Sequence, residues 1–161
     1  MPATETSTAT LHTRIKAGVV ALLRSLTFTD LHGGVNDEAV LEDTNFERPC
    51  WVVSVEGEQE EIIGGTTNSR MIAYPVRVFL LATDMEMPTD AAKLQEWRAT
   101  AMDAFDRRQR TATITSVLDG CTEVYATRVI PRVIFDERLK QYRNVISGFV
   151  VKAEASVARA G

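Results

Sequence analysis

The stretch "MIAYPVRVFLLAT", Met71 to Thr83, predicts one long strand that is apolar on nearly both of its faces. Arg77 interrupts the second face, and Pro75 removes a backbone donor, which favours a sheet edge or a bulge there. Such a strand needs cover on both sides. Either its second face meets another subunit, or the chain curls into a sandwich or covers that face with the loop around Phe46. The first face carries only apolar side chains, at Tyr74, Val76, Val78, Leu80 and Ala82.

The segment before this strand predicts a helix and a partner strand. Apolar residues recur every three or four positions between Leu11 and Leu26, so we expect an amphipathic helix with Lys16 on its water-facing side. A long connection with turn-forming glycines follows and has room for a short strand. "CWVVSVEG" then predicts a strand on which Trp51, Val53 and Val55 share one face.

The segment after it predicts a second helix and three more strands. "PTDAAKLQEWRATAMDAFDRR" has helix-start signals at its beginning and arginines at its end. Its expected buried stripe is Leu94, Trp97, Ala101 and Phe105. "TATITSVL", "EVYATRVIP" and "YRNVISGFVVKAEASV" are rich in β-branched or aromatic residues and predict strands.

This element order predicts an α+β fold: a mixed, mainly antiparallel sheet of about five strands with two helices packed on one face. A chain of 161 residues is most simply one domain. We expect residues 1–10 to form a mobile N-terminal tail, residues 11–157 to form the domain, and residues 158–161 to form a C-terminal tail.

The residue types offer no catalytic, metal-binding or cofactor-binding pattern. Two cysteines and two histidines lie far apart in the sequence, without zinc-ligand spacing or a nucleophile elbow. Gly64 and Gly65 lack the context of a phosphate-binding loop and are interpreted as turn glycines. No apolar run approaches the roughly 20 residues of a membrane-spanning helix. We therefore expect no enzyme activity, no cofactor, no metal and no membrane partner.

A resemblance to a known family supplies the functional expectation. It is carried, in order, by "RIKAGVVALLRSL", "PCWVVSVEGEQEEI", "YPVRVFLLATD", "DAAKLQEWRATAMDAFDRR", "VIPRVIFDE" and "YRNVISGFVVKAEA". From about Leu11 to Val157 the chain resembles bacteriophage tail terminator proteins, also called tail-completion or minor tail proteins. The likeness lies in the order of the elements and in their general residue pattern, because that family has no catalytic motif.

The resemblance implies a structural protein of the virion, assembled in the host cytoplasm. It would form a homo-oligomer, a hexameric ring, at the head-proximal end of the tail tube. There it would end tube polymerisation and present a docking surface to the neck or head-closure protein, while DNA passes through without sequence-specific binding. Two alternatives stay open: another neck component, such as a head-closure or adaptor protein, and a small enzyme or ligand-binding domain whose site is not visible in sequence.

The acidic segment "EGEQEEIIGG", from Glu56 to Gly65, is the candidate site for this function. Its carboxylates would repel the DNA backbone if the arm lined the ring channel, and its isoleucines would anchor the arm on a neighbouring subunit or on the tube. The other interpretation is a solvated hairpin tip. The candidate channel or inter-subunit residues are Glu56, Glu58, Glu60, Glu61, Ile62 and Ile63.

Overall fold

The computed structural model describes residues 3–4, 8–28, 31, 33–37, 49–55, 59–81, 91–105, 121–130 and 145–158. Two helices lie in these ranges, α1 (Thr8–Ser25) and α2 (Ala91–Ala104). The strands are β1 (Ala3–Thr4), β2 (Val35–Asp37), β3 (Cys50–Ser54), β4 (Glu61–Gly65), β5 (Ser69–Leu81), β6 (Glu123–Ile130) and β7 (Val145–Ala158).

The described strands form one mixed sheet centred on β5 and β7. The strand order is β1-β7-β5-β3-β2, with β4 also paired to β5 and β6 also paired to β7. Among the pairs formed by the described strands, only β1–β7 and β2–β3 are parallel. The predicted α+β class with a mainly antiparallel sheet is therefore confirmed. The seven described strands exceed the predicted five because β1, β2 and β4 are added, while the strand predicted at "TATITSVL" lies outside the described residues.

Strand β5 organises the sheet because it pairs along most of its length on both edges. One edge is taken by β7, from Ser69 to Leu81. The other edge is shared, since β3 pairs with residues 77–81 and β4 pairs with residues 70–73. Pro75 falls in the interval that neither β3 nor β4 reaches. A residue without a backbone N–H is tolerated in this local edge, as predicted, whereas the register of β5 with β7 shows no bulge at Pro75.

Both helices contribute to one core on one face of the sheet. The predicted stripe of α2 is confirmed, because Leu94, Trp97, Ala101 and Phe105 are all buried. Phe105 packs against Phe149 of β7, with ring centroids 6.2 Å apart. Trp51 of β3 meets the same Phe149 ring edge-on at 5.9 Å. The aromatic contacts therefore join α2 to the two strands that flank β5.

The second face of β5 is buried within the single chain where it is apolar. Phe79 and Leu81 are only 3% and 1% exposed. The Arg77 guanidinium lies 5.1 Å from the centre of the Phe79 ring, so the cation packs on the aromatic side chain. This burial fits the interpretation in which the chain covers its own second face. The apolar character of that face therefore gives no argument for a subunit contact. Phe46, whose loop was one predicted cover for this face, lies outside the described residues.

Two local predictions are wrong. Lys16 does not face water: it is 7% exposed, and its ammonium lies 3.0 Å from the Asp37 carboxylate of β2. Gly64 and Gly65 do not form the turn, because both belong to β4. The chain reverses after them, where the Thr66 hydroxyl accepts hydrogen bonds from the N–H groups of Asn68 and Ser69.

The ends of the helices also differ from the predictions. Helix α1 begins at Thr8 rather than near Leu11, and Ala3–Thr4 pairs with β7, so the predicted N-terminal tail contains a strand and the start of a helix. Helix α2 ends at Ala104. Arg107 and Arg108, which were predicted to lie in its last turn, lie outside the described residues.

Candidate functional site

The β4–β5 hairpin carries the most exposed apolar surface in the described part of the chain. Every residue of β4 is exposed. Ile62 and Ile63 are 60% and 43% exposed, and they are the exposed large hydrophobic residues of the described part of the chain. An adjacent pair of branched apolar side chains in water is unfavourable, and it commonly marks a contact surface. We call these two residues the isoleucine pair.

The geometry of β4 presents this pair outward. Ile62 is opposite Ile72 of β5, but the register then shifts so that Gly64 is opposite Met71. Ile63 is the extra residue of this irregularity, and such a bulge re-aims side chains at a sheet edge. In the described part of the chain, β4 pairs with β5 alone. The hairpin therefore presents an edge strand together with apolar side chains.

The two described carboxylates of the arm both have basic neighbours. Glu61 lies 3.6 Å from the Lys152 ammonium of β7. Glu60 lies 3.9 Å from Nδ1 of His12 in α1. Glu56 and Glu58 lie outside the described residues. At Glu61, the negative field that was predicted for a channel lining is thus partly compensated by the Lys152 ammonium of the same chain.

His12 ties α1 to the interrupted edge of β5. Its Nε2 lies 2.8 Å from the Pro75 carbonyl oxygen, so the imidazole donates to an acceptor that neither β3 nor β4 reaches. The ring also packs on Tyr74 with centroids 5.5 Å apart. The side chain is 9% exposed. This arrangement gives His12 a structural role in holding the helix against the sheet.

Replacing His12 with alanine should lower the free energy of unfolding by about 1 to 2 kcal/mol, because the buried Pro75 carbonyl then loses its donor. Urea denaturation measures this loss. His12→Gln is the matched control: it retains a side-chain N–H and should recover part of the stability. Equal losses for the two variants would show that the ring packing on Tyr74, rather than the hydrogen bond, stabilises this contact.

A groove beside α1 is the second surface feature, and it was not predicted from the sequence. It is open to solvent and has a volume of about 610 Å³, and its described lining residues are Ala17, Val20, Ala21, Arg24, Ser25 and Asp37. We call it the α1 groove. Its only sequence signal is the helical spacing of two alanines and an arginine, which is weak because such residues are common on solvent-facing helices.

Hydrogen bonds and an ion pair fix the polar rim of the α1 groove. The Arg24 Nε donates to the Val35 carbonyl at 3.2 Å, which orients the guanidinium at the groove. The Asp37 carboxylate is paired with Lys16. The apolar lining residues of the groove are Ala17, Ala21 and the buried Val20. The groove is therefore a shallow apolar recess with an oriented cation on its rim, which suits an apolar side chain beside a carboxylate.

Among the residues that the structure describes, no group of three or more histidine, cysteine or acidic side chains is placed to hold a metal ion. No helix in those same ranges is long and apolar enough to cross a bilayer.

Of the predicted site residues, the structure places Glu60, Glu61, Ile62 and Ile63 on one exposed hairpin. It does not bring them together with the α1 groove in the same molecule. Glu60 contacts His12 in the early part of α1, whereas the groove residues of α1 run from Ala17 to Ser25. Comparison with known proteins finds no family that matches the chain and no match among curated proteins.

Proposed function

We propose that this chain is a structural protein of a bacteriophage tail that works as a ring of identical subunits. The ring would sit at the head-proximal end of the tail tube, stop tube polymerisation and provide the docking surface for the neck protein. The observation that carries the proposal is the isoleucine pair, exposed on an edge strand at 60% and 43%. The resemblance from Leu11 to Val157 supports the identity of the assembly.

An exposed isoleucine pair supports assembly for a thermodynamic reason. Burying apolar surface contributes about 25 cal/mol per Å², so two largely exposed isoleucines favour any contact that covers them. Edge strands also associate with other chains unless charges or covering segments prevent it. Here the carboxylates of Glu60 and Glu61 precede the pair. Their charge limits nonspecific aggregation, so contact with one specific partner is the favoured way to bury the two isoleucines.

The overall charge supports a ring that DNA traverses. The net charge of −4 opposes nonspecific attraction to a polyanion. In the proposed assembly the DNA passes through the opening without base-specific contacts. The ring needs no cofactor for this task, and its partners are copies of itself, the tube protein and the neck or head-closure protein.

Virions made without this protein should have abnormal tails, either over-long or unjoined to heads, because nothing ends the tube or receives the neck. Negative-stain electron microscopy of lysates measures tail length and head attachment. Supplying the wild-type chain in trans should restore joined particles of uniform tail length. Normal infectious particles from the deletion would overturn the proposed function.

A further inference from the structure

We infer that the isoleucine pair of one copy docks into the α1 groove of the next copy. This inference rests on the proposed ring and names the contact that would close it. In this contact the isoleucine pair is the protruding surface and the α1 groove is the surface that receives it, and every copy of the chain carries both. Both surfaces are exposed, and neither fills the other within one molecule.

The positions of the two surfaces favour a head-to-tail contact. Glu60, two residues before the pair, lies beside His12 near the start of α1. The groove is built on the later turns of α1, up to Ser25. At 1.5 Å per residue, His12 and Arg24 are separated by about 18 Å along the helix. A contact between two different patches on identical subunits is heterologous, and it generates a ring when the rotation closes.

The shapes and polarities of the two surfaces match. Ala17, Val20 and Ala21 give the groove an apolar lining, and its open volume of about 610 Å³ has room for two branched four-carbon side chains. Because the two alanines are short, an incoming side chain can approach the helix backbone closely. Burying the isoleucine pair there would remove the most exposed large apolar side chains of the described chain from water.

The charges around the two surfaces are also complementary. Glu60 and Glu61 immediately precede the pair, and their side chains keep 44% and 64% exposure in the single chain. Arg24 stands at the groove with its Nε already bound to Val35, so its terminal N–H groups remain as donors for a carboxylate. Asp37 adds little uncompensated negative charge, because Lys16 lies 3.0 Å away. An acidic, apolar strand therefore suits this groove better than a basic one.

Disulfide trapping tests the contact directly. The double variant Ile63→Cys/Ala21→Cys places one thiol on the isoleucine pair and one in the α1 groove. Both positions are exposed, so the variant should fold. A disulfide forms only when the two Cα atoms approach to about 4.4–6.8 Å. The natural Cys50 and Cys121 are buried. Oxidation of the unmodified chain measures how much cross-linking these two cysteines contribute. The matched control is Ile63→Cys/Gln95→Cys, with its second thiol on the exposed side of α2.

After oxidation with copper–phenanthroline at high protein concentration, the first variant should give a ladder of covalent oligomers beyond the dimer. Each copy carries both thiols, so head-to-tail links propagate from copy to copy. The yield should exceed that of the control pair at least tenfold. No ladder, a ladder equal to the control, or dimers alone would overturn the inferred contact.

A mass measurement on the unoxidised samples separates this inference from the proposed function. Sedimentation should show self-association that the double variant Ile62→Ser/Ile63→Ser weakens at least tenfold, with the midpoint of urea unfolding unchanged. Oligomers that persist in the serine variant overturn the contact but leave the proposed ring in place. Conversely, normal tails in virions without the protein overturn the ring, whatever the trapping result.

Discussion

Replacing Trp97 with alanine should lower the free energy of unfolding by about 3 to 5 kcal/mol, the range for truncating a buried large aromatic side chain. Trp97 is 2% exposed and lies in the middle of the α2 stripe that faces the sheet. Its removal leaves a void between the helix and the core that the close-packed surroundings fill only in part. Urea denaturation followed by far-ultraviolet circular dichroism measures the loss.

Gln95→Ala is the matched control for Trp97→Ala. Gln95 lies on the same helix and is exposed, so its replacement should change stability by less than about 0.5 kcal/mol. This control separates the loss of core packing from any change in helix propensity, since alanine is introduced in both variants. A loss below 1 kcal/mol for Trp97→Ala would contradict its placement in the core.

The elements that the sequence predicted well are those whose signal is local and repeated. Leu94, Trp97, Ala101 and Phe105 recur at helical spacing, so their common burial follows from the geometry of one helix. The long apolar run of β5 similarly leaves few alternatives to a strand. Pro75 marked the interruption of pairing on one edge because a missing N–H restricts the positions a residue can take in a ladder.

Features that depend on distant residues escaped prediction. The two surfaces invoked for assembly show this, because β4 becomes an edge strand only through pairing with β5, and the α1 groove exists only once β2 lies beside the helix. The burial of Phe79 and Leu81 is a further case: an apolar second face signals a need for cover, but not whether the same chain supplies it. Of the two surfaces, only the hairpin had been marked in the sequence, where Ile62 and Ile63 were predicted as anchors of an acidic arm that includes Glu60 and Glu61.

Lys16 shows why charge alone misleads a helical-wheel prediction. A lysine between apolar positions is ordinarily placed toward water, where its charge is solvated. Here Asp37, which lies 21 positions later in the chain, is brought to 3.0 Å by the packing of β2 on α1. No local pattern encodes that approach. The consequence is an ion pair in which the lysine side chain is only 9% exposed and the aspartate 23%.

Replacing Asp37 with asparagine should therefore lower the free energy of unfolding by about 2 to 3 kcal/mol, because the nearly buried Lys16 ammonium loses its counter-charge. Lys16→Met should cost much less, since a flexible apolar side chain of similar length replaces the cation and removes its desolvation penalty. Both losses are measured by urea denaturation under the same conditions. A larger loss of unfolding free energy for Asp37→Asn than for Lys16→Met is expected, because the first variant leaves the lysine charge buried and unpaired.

The double variant Lys16→Met/Asp37→Asn decides whether the ion pair itself causes that asymmetry. Once the ammonium is gone, Asp37→Asn should cost less than about 0.5 kcal/mol, in the range of substitutions at independent, partly exposed sites. The coupling energy of the cycle then equals most of the loss in the single Asp37 variant. If Asp37→Asn is equally costly in the Lys16→Met background, the carboxylate stabilises β2 through its other contacts, and the buried lysine is not what holds this strand against α1.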